Sequence, residues 1–265
     1  MTALTDRESL RARWRRHLAV QGLDATDRAD FALGGLGRRV RGPTARLMLL
    51  PSDPDHEVIT IDSEFWDRLD ELKTVALGES GRVRLGEQQI PTAHAAALVN
   101  FYGRGEPWNS YVAVHRNGSI DVGFGDRGGR DTKDREGEDA RVFNLISLVG
   151  YSWAALELAR NLALDPDGEW HLAFALVRTE GALLGNVGEG WAEPGTWENS
   201  VGGCADAHLL WHIELDRLPS DATASQEQAF AIGDRIEDAW GMQQRRYLDH
   251  RGESAGQFDA RRIAH

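Results

Sequence analysis

The chain has 265 residues, of which 41% are hydrophobic and 27% charged, with nine Trp; it can bury a core without disulfides or a structural metal, which excludes disorder throughout. No stretch approaches the ~18 uncharged apolar residues that a membrane helix needs, and the opening MTALTDRESLRARW has no apolar signal region. The one cysteine, Cys204, has no internal partner, so a soluble, cytoplasmic protein without a membrane association is expected.

The net charge of -12 is unevenly spread. Residues 1–46 hold ten Arg against Asp6, Glu8, Asp24, Asp27 and Asp30, a net of +5, which leaves -17 for the remainder. Such an arm docks on the acidic body, is a solvated helix, or contacts nucleic acid. All 30 basic residues except Lys73 and Lys133 are Arg, a pattern of GC-rich coding from which no function follows.

In chain order, Thr5 and Glu8 form a capping-box pair, and Leu10, Trp14 and Leu18 recur every four residues, which predicts a helix from about Asp6 to Gln21, stopped by Gly22. Thr26 is placed to cap a short second helix through Phe31 and Leu33, ending at Gly34, Gly35 and Gly37; the pair resembles half of a helix-turn-helix. Ala45–Leu50 and Glu57–Ile61 read as strands around a turn-rich Pro51–Asp55. Ser63 then caps a helix carrying Phe65, Trp66, Leu69, Leu72 and Val75, which ends at Gly78. A strand pair follows around Val83–Ile90, and Pro91 at a first helical position predicts a helix over Thr92–Tyr102.

The segment SYVAVHRNGSIDVGF reads as a hairpin, with Asn117 and Gly118 supplying the two positive φ values of a two-residue type I′ turn. Val142, Leu145, Ile146, Val149, Trp153, Leu156 and Ala159 keep helical spacing over five turns and mark a central helix. A strand Trp170–Arg178, a turn at Thr179–Gly181 and a return strand through Leu183 and Leu184 make a second hairpin. Beyond a loop rich in Gly and Trp, Leu209, Trp211, Ile213 and Leu215 alternate as on a half-buried strand. Ser225 with Gln228 caps a last helix whose apolar side carries Phe230, Ile232, Ile236, Trp240 and Leu248. Hairpins separated by helices imply an α+β fold: an antiparallel sheet with helices packed on it, preceded by a basic helical N-terminal arm. The expected division is an arm over 1–44, an α+β domain over 45–250 and a polar tail over 251–265.

Several motifs fail on their surroundings. Gly123, Gly125 and Gly128 match GxGxxG after a strand, but GRDTKDREGED intervenes where a helix should open to hold a pyrophosphate, so no cofactor is expected. Asp126, Asp131, Asp134 and Glu136 are interleaved with bases and lack calcium-loop spacing. Glu71, Leu72 and Lys73, with Pro54 and Asp55 upstream, match the pieces of a metal-dependent nuclease motif, but they fall in a helix where such a site needs a strand. His208 and His212 on a strand lie about 13 Å apart, too far for one ion to bridge, so no metal site is expected either. Cys204 lies close to Asp206 and His208, yet a nucleophile's base is normally supplied from elsewhere in the fold. The contact candidates that remain are Arg11, Arg15 and Arg16 on the outer side of the first helix, whose Leu10, Trp14 and Leu18 should face inward, and Trp191 and Trp197 in the glycine-rich loop.

Over about residues 139–248, in WHLAFALV, HLLWHIEL and DRIEDAWGMQQRRYLD, the chain resembles the C-terminal region of bacterial DNA-binding proteins of the Schlafen-AlbA type. The resemblance spans under half of the chain and carries no functional residue across; it implies a nucleic-acid-linked regulatory or defence setting. The resulting expectation is a non-enzymatic binding protein, with a protein or nucleic-acid partner engaged through the basic arm. A metal-dependent nuclease or other hydrolase is the alternative.

Overall fold

The computed structural model describes residues 2–24, 35–40, 45–77, 81–101, 108–125, 129–133, 139–165, 167–185 and 203–242, with the backbone alone for 2–6, 130, 132 and 133. In chain order come α1 (Thr2–Val20), a 3₁₀ turn (Gly35–Arg39), β1 (Ala45–Leu50), α2 (Ser63–Glu71), β2 (Thr74–Ala76), β3 (Arg82–Arg84), β4 (Gln88–Pro91) and β5 (Ala95–Phe101). They are followed by β6 (Trp108–His115), β7 (Ile120–Phe124), β8 (Gly129–Lys133), β9 (Asp139–Asn144), α3 (Leu145–Asn161), β10 (Trp170–Val177), β11 (Leu183–Gly185), β12 (His208–Leu215) and α4 (Ala222–Ala239). The fold is α+β.

Seven strands form one antiparallel sheet in the order β12-β10-β1-β7-β6-β5-β4. Period-two alternation divides their side chains between two faces. Leu47, Leu49, Val112, Val122, Leu172 and Phe174 point into the main core with α2, α3 and α4. Met48, Leu50, Ala173, Ala175 and Val177 point the other way, where α1 covers them with Leu10, Trp14 and Leu18. The same second face is covered further along by Val40 and Leu36, which pack on Tyr111, Ala97 and Val99. Helix α3 is buried from Leu145 to Ala159, which explains its apolar residues all round; Asn144 caps it by accepting from Ser147 N at 3.2 Å.

Helix α1 carries the expected inward side: Leu10, Trp14 and Leu18 are buried, while Arg11, Arg15 and Arg16 are exposed. It starts before the expected position, so Thr5 lies inside it rather than capping it. It ends as expected at Gly22, where Gly22 N and Leu23 N donate to the carbonyls of Ala19 and Leu18. The second helix expected from Thr26, the stretch Asp126–Gly128, Asp134–Glu136, the loop with Trp191 and Trp197, and Leu248 lie outside the described residues.

Five local expectations are corrected. The stretch expected to be helix over Thr92–Tyr102 holds strand β5 over Ala95–Phe101 instead, with Tyr102 outside the described residues: its alanines and aliphatics are buried on both faces, so no polar alternation marks it, and ladder formation outweighs helix propensity. Glu57–Ile61 is not a strand, because both edges of β1 are taken by β7 and β10; Val58 N and Ile59 N instead donate to Arg116 O. Helix α2 stops at Glu71 and is capped by Asp62 rather than Ser63, and Val75 belongs to β2, which pairs with β3. Accordingly, β3 and β4 do not pair with each other. Leu183 and Leu184 do not return along β10, whose edges are filled, but pair in parallel with β9 in a second sheet of β11, β9 and β8.

Two caps and turns differ in detail. Asp221 caps α4, accepting from Ala224 N at 2.9 Å, and leaves Ser225 buried inside the helix. The hairpin of β6 and β7 forms, but Gly118 alone has positive φ, at 82°. Gly118 N donates to His115 O and His115 N to Ser119 O, so the connection is a type I turn with a glycine bulge, which follows the sheet twist as well as a type I′ turn does. Likewise Val142 lies on β9, ahead of the central helix.

Candidate functional site

Where α1 crosses β10 and β12 it leaves a cleft of about 670 Å3 whose walls include Arg11, Arg15, Arg16, His171, His212 and Glu214. Its position follows from the alternation of two strands. In both Trp170-His171 and Trp211-His212 the Trp turns to the core and the following His to the α1 face. These Trp-His pairs were the signal that could have found the site, since in the fully buried β10 and the half-buried β12 alike the residue after the Trp turns to the same face. The sequence reading weighed His212 with His208 instead. His208 Nδ1 accepts from the backbone of Arg178.

The two histidines meet directly, with His171 Nε2 and His212 Nδ1 3.0 Å apart. The indole of Trp14 lies tilted against the His171 ring at 4.9 Å between centroids, and its Nε1 donates to Pro51 O at 2.8 Å. His171 is 7% exposed, and its Nδ1 is buried with no hydrogen-bond partner among the described residues. Burial, with His212 and the cations Arg11 and Arg15 adding to it and Glu214 opposing, lowers the His171 pKa to about 4. His212 faces solvent along the cleft, yet desolvation by its neighbours and the charge of Arg15 lower its pKa too, with Asp24 opposing. Both rings are therefore neutral at neutral pH.

The cationic side of α1 is largely neutralised by the body. Arg11 binds Glu214 through both carboxylate oxygens, at 2.6 and 2.9 Å. Arg7 pairs with Asp216 at 3.3 Å, Arg13 with Asp53 at 3.6 Å, and Arg16 with Asp55 at 3.2 Å, which His17 also reaches at 3.0 Å. Arg15 makes no hydrogen bond or ion pair among the described residues and projects at the cleft beside His212. Among the sequence candidates, then, Arg11, Arg15 and Arg16 converge on one cleft, two of them already held by carboxylates.

A buried charge network fixes α1 over the sheet. Arg46 and Asp121, neighbours across β1 and β7, form a fully buried pair through two bonds of 2.9 and 2.8 Å. Arg46 also donates to the main-chain oxygen of Gln21 at 2.6 Å and to its side chain at 2.7 Å, setting a guanidinium at the C-terminal end of α1 where the helix dipole favours it. Tyr111 donates to Asp121 at 3.0 Å. Burial opposes ionisation of Asp121, but Arg46, with the His115 ring nearby at 3.9 Å, outweighs it and holds the carboxyl far below the usual range, while burial pushes the Tyr111 phenol up.

The remaining motifs resolve into structural roles. Gly123 lies on β7, where a Cβ would run into the Tyr111 ring, so the first GxGxxG glycine serves packing. Glu71-Leu72-Lys73 is the end of α2, with Lys73 paired to Asp70 at 2.9 Å. Asp131 pairs with Arg141, and Cys204 is buried with its thiol 3.7 Å from Asp206 O. Among the described residues no three His, Cys, Asp or Glu side chains form a group that could hold a metal ion, and no helix is long and apolar enough to cross a membrane. No protein-family model, curated protein or solved structure matches the chain.

Proposed function

We propose that the chain is a non-enzymatic binding protein that contacts nucleic acid through the cleft between α1 and the β10–β12 edge. The observation that carries this reading is the convergence of Arg11, Arg15 and Arg16 on that cleft with Arg15 left unpartnered among the described residues. Among the described residues the cleft wall offers donors, an aromatic floor and the carboxylates Asp24 and Glu214, the latter held by Arg11, and no hydroxyl, thiol or amine that would serve as a nucleophile. The resemblance of residues 139–248 to Schlafen-AlbA-type proteins adds support for a nucleic-acid-linked regulatory or defence setting.

The internal ion pairs limit the expected contact. Arginines held by Glu214 and Asp55 have less charge to offer a phosphate, and the acidic body repels a polyanion at long range. Binding should therefore be weak and only mildly salt-dependent, with a log-log slope of about -1 to -2 for labelled single-stranded DNA or RNA of mixed sequence. Fluorescence anisotropy across salt concentrations tests this. Replacing Arg15 with Ala should flatten the slope by about 1. Absence of binding to both nucleic acids at low salt would overturn the reading.

A further inference from the structure

We infer that the cleft is an oxyanion site: Arg15 and the outward Nε2–H of His212 converge as donors on one phosphate or carboxylate group, with the His171–His212 pair fixing the proton positions. This rests on reading the cleft as the binding surface and names the chemistry that it takes.

The proton assignment follows from the buried nitrogen. Among the described residues His171 Nδ1 has no hydrogen-bond partner, and it has no access to solvent. A buried N–H without an acceptor is the rarer and costlier arrangement, so that nitrogen carries the lone pair, and Nε2 carries the proton. The Nε2–H then donates to His212 Nδ1 across the 3.0 Å contact. His212 in turn must carry its proton on Nε2, so the pair acts as a one-way relay that turns a donor outward. Arg15, beside it, makes no ion pair or hydrogen bond among the described residues, although Asp24 lines the same cleft. Arg11, although tied to Glu214, keeps one guanidinium nitrogen outside that bidentate pair. An acceptor-only ligand fits this set, and a cation does not.

Ligand charge couples to the histidine. The groups facing His212 are Arg15 and Arg11 from α1, Asp24 beyond the end of that helix, His171 from β10 and Glu214 on its own strand. A bound oxyanion screens the two arginines and draws a proton toward His212, but that proton would enter on Nδ1 against the His171 Nε2–H 3.0 Å away, so the pair holds His212 neutral and the anion is bound through the neutral Nε2–H donor.

The test is side-chain ¹⁵N NMR of the full chain, titrated with inorganic phosphate and, separately, acetate, at constant ionic strength held with chloride. Expected are Nε2–H tautomers for both His171 and His212 in the free protein. Added phosphate should move the His212 Nε2 resonance with Nδ1 remaining unprotonated, and Arg15→Gln, on an exposed side chain that leaves the core untouched, should weaken this response about tenfold. Phosphate acting without acetate identifies a phosphate group as the ligand, and acetate acting alone a carboxylate; either outcome supports the site. A protonated His171 Nδ1, or His212 resonances unmoved by either anion, overturns it. Oligonucleotide binding with unmoved His212 resonances would sink the oxyanion site alone, whereas a phosphate response without oligonucleotide binding would sink the nucleic-acid reading alone.

Discussion

At the scale of single residues, the molecule separates side chains that hold the fold from side chains that set its electrical state. Trp153 is 1% exposed and meets Phe230 edge to face at 6.2 Å. Trp153→Ala should therefore cost about 3–5 kcal/mol in denaturant unfolding through the cavity left between α3 and α4; a negligible loss would place Trp153 at the surface. His171 works differently, because its folded pKa of about 4 lies below the ordinary value of 6.5. As pH falls through that window the unfolded chain takes up a proton that the folded chain refuses, so stability is present above about 6.5 and is lost progressively toward 4. Between about pH 6.5 and pH 5 this amounts to about 2 kcal/mol at one site. His171→Leu should flatten the pH dependence of the urea midpoint by that amount; an unchanged slope would show that the ring is not held neutral. Arg11, Arg15 and Arg16 were legible as outward residues because a four-residue apolar spacing fixes the opposite side of a helix. Their carboxylate partners were not legible, since Asp55 and Glu214 lie 39 and 203 residues away.

At the scale of elements, α1 is the informative case. Its composition suggests a separate basic arm, yet it shares a hydrophobic cluster with β1 and β10 and is clamped by Arg46 at its C-terminal end. The peptide bonds after Arg11, Arg13, Arg15 and Arg16 should accordingly resist trypsin until the protein unfolds, because cleavage needs the helix to open locally. Timed digestion under native conditions checks this, and rapid cutting at those arginines with the sheet left intact would show an undocked arm. Strand β12 was readable from its alternation, because one face is buried and the other carries His208, His212 and Glu214. Strand β5 was unreadable for the converse reason. Its Ala-rich run is covered on both faces, and a short apolar run without alternation has no period to distinguish strand from helix.

At the scale of the whole molecule, the charge asymmetry is resolved internally. The positive α1 lies on a sheet whose rim and loops supply Asp53, Asp55, Glu214 and Asp216, so the net of -12 is the sum of two complementary surfaces. The sequence by itself determined what depends on neighbours along the chain: the α+β class, helices α1, α3 and α4 and their inward sides, the hairpin at Gly118 and the half-buried alternation of β12. Only the tertiary structure decided which strands share an edge, and hence that Leu183 and Leu184 leave β10 for β9 and that Glu57–Ile61 stays outside the ladder. Only it brought His171 and His212 together, from strands paired across 41 residues of chain. The physical reason is one of range. Propensity, capping and periodicity act over a few residues, whereas strand order and charge pairing are selected by a global balance of burial that no local window contains.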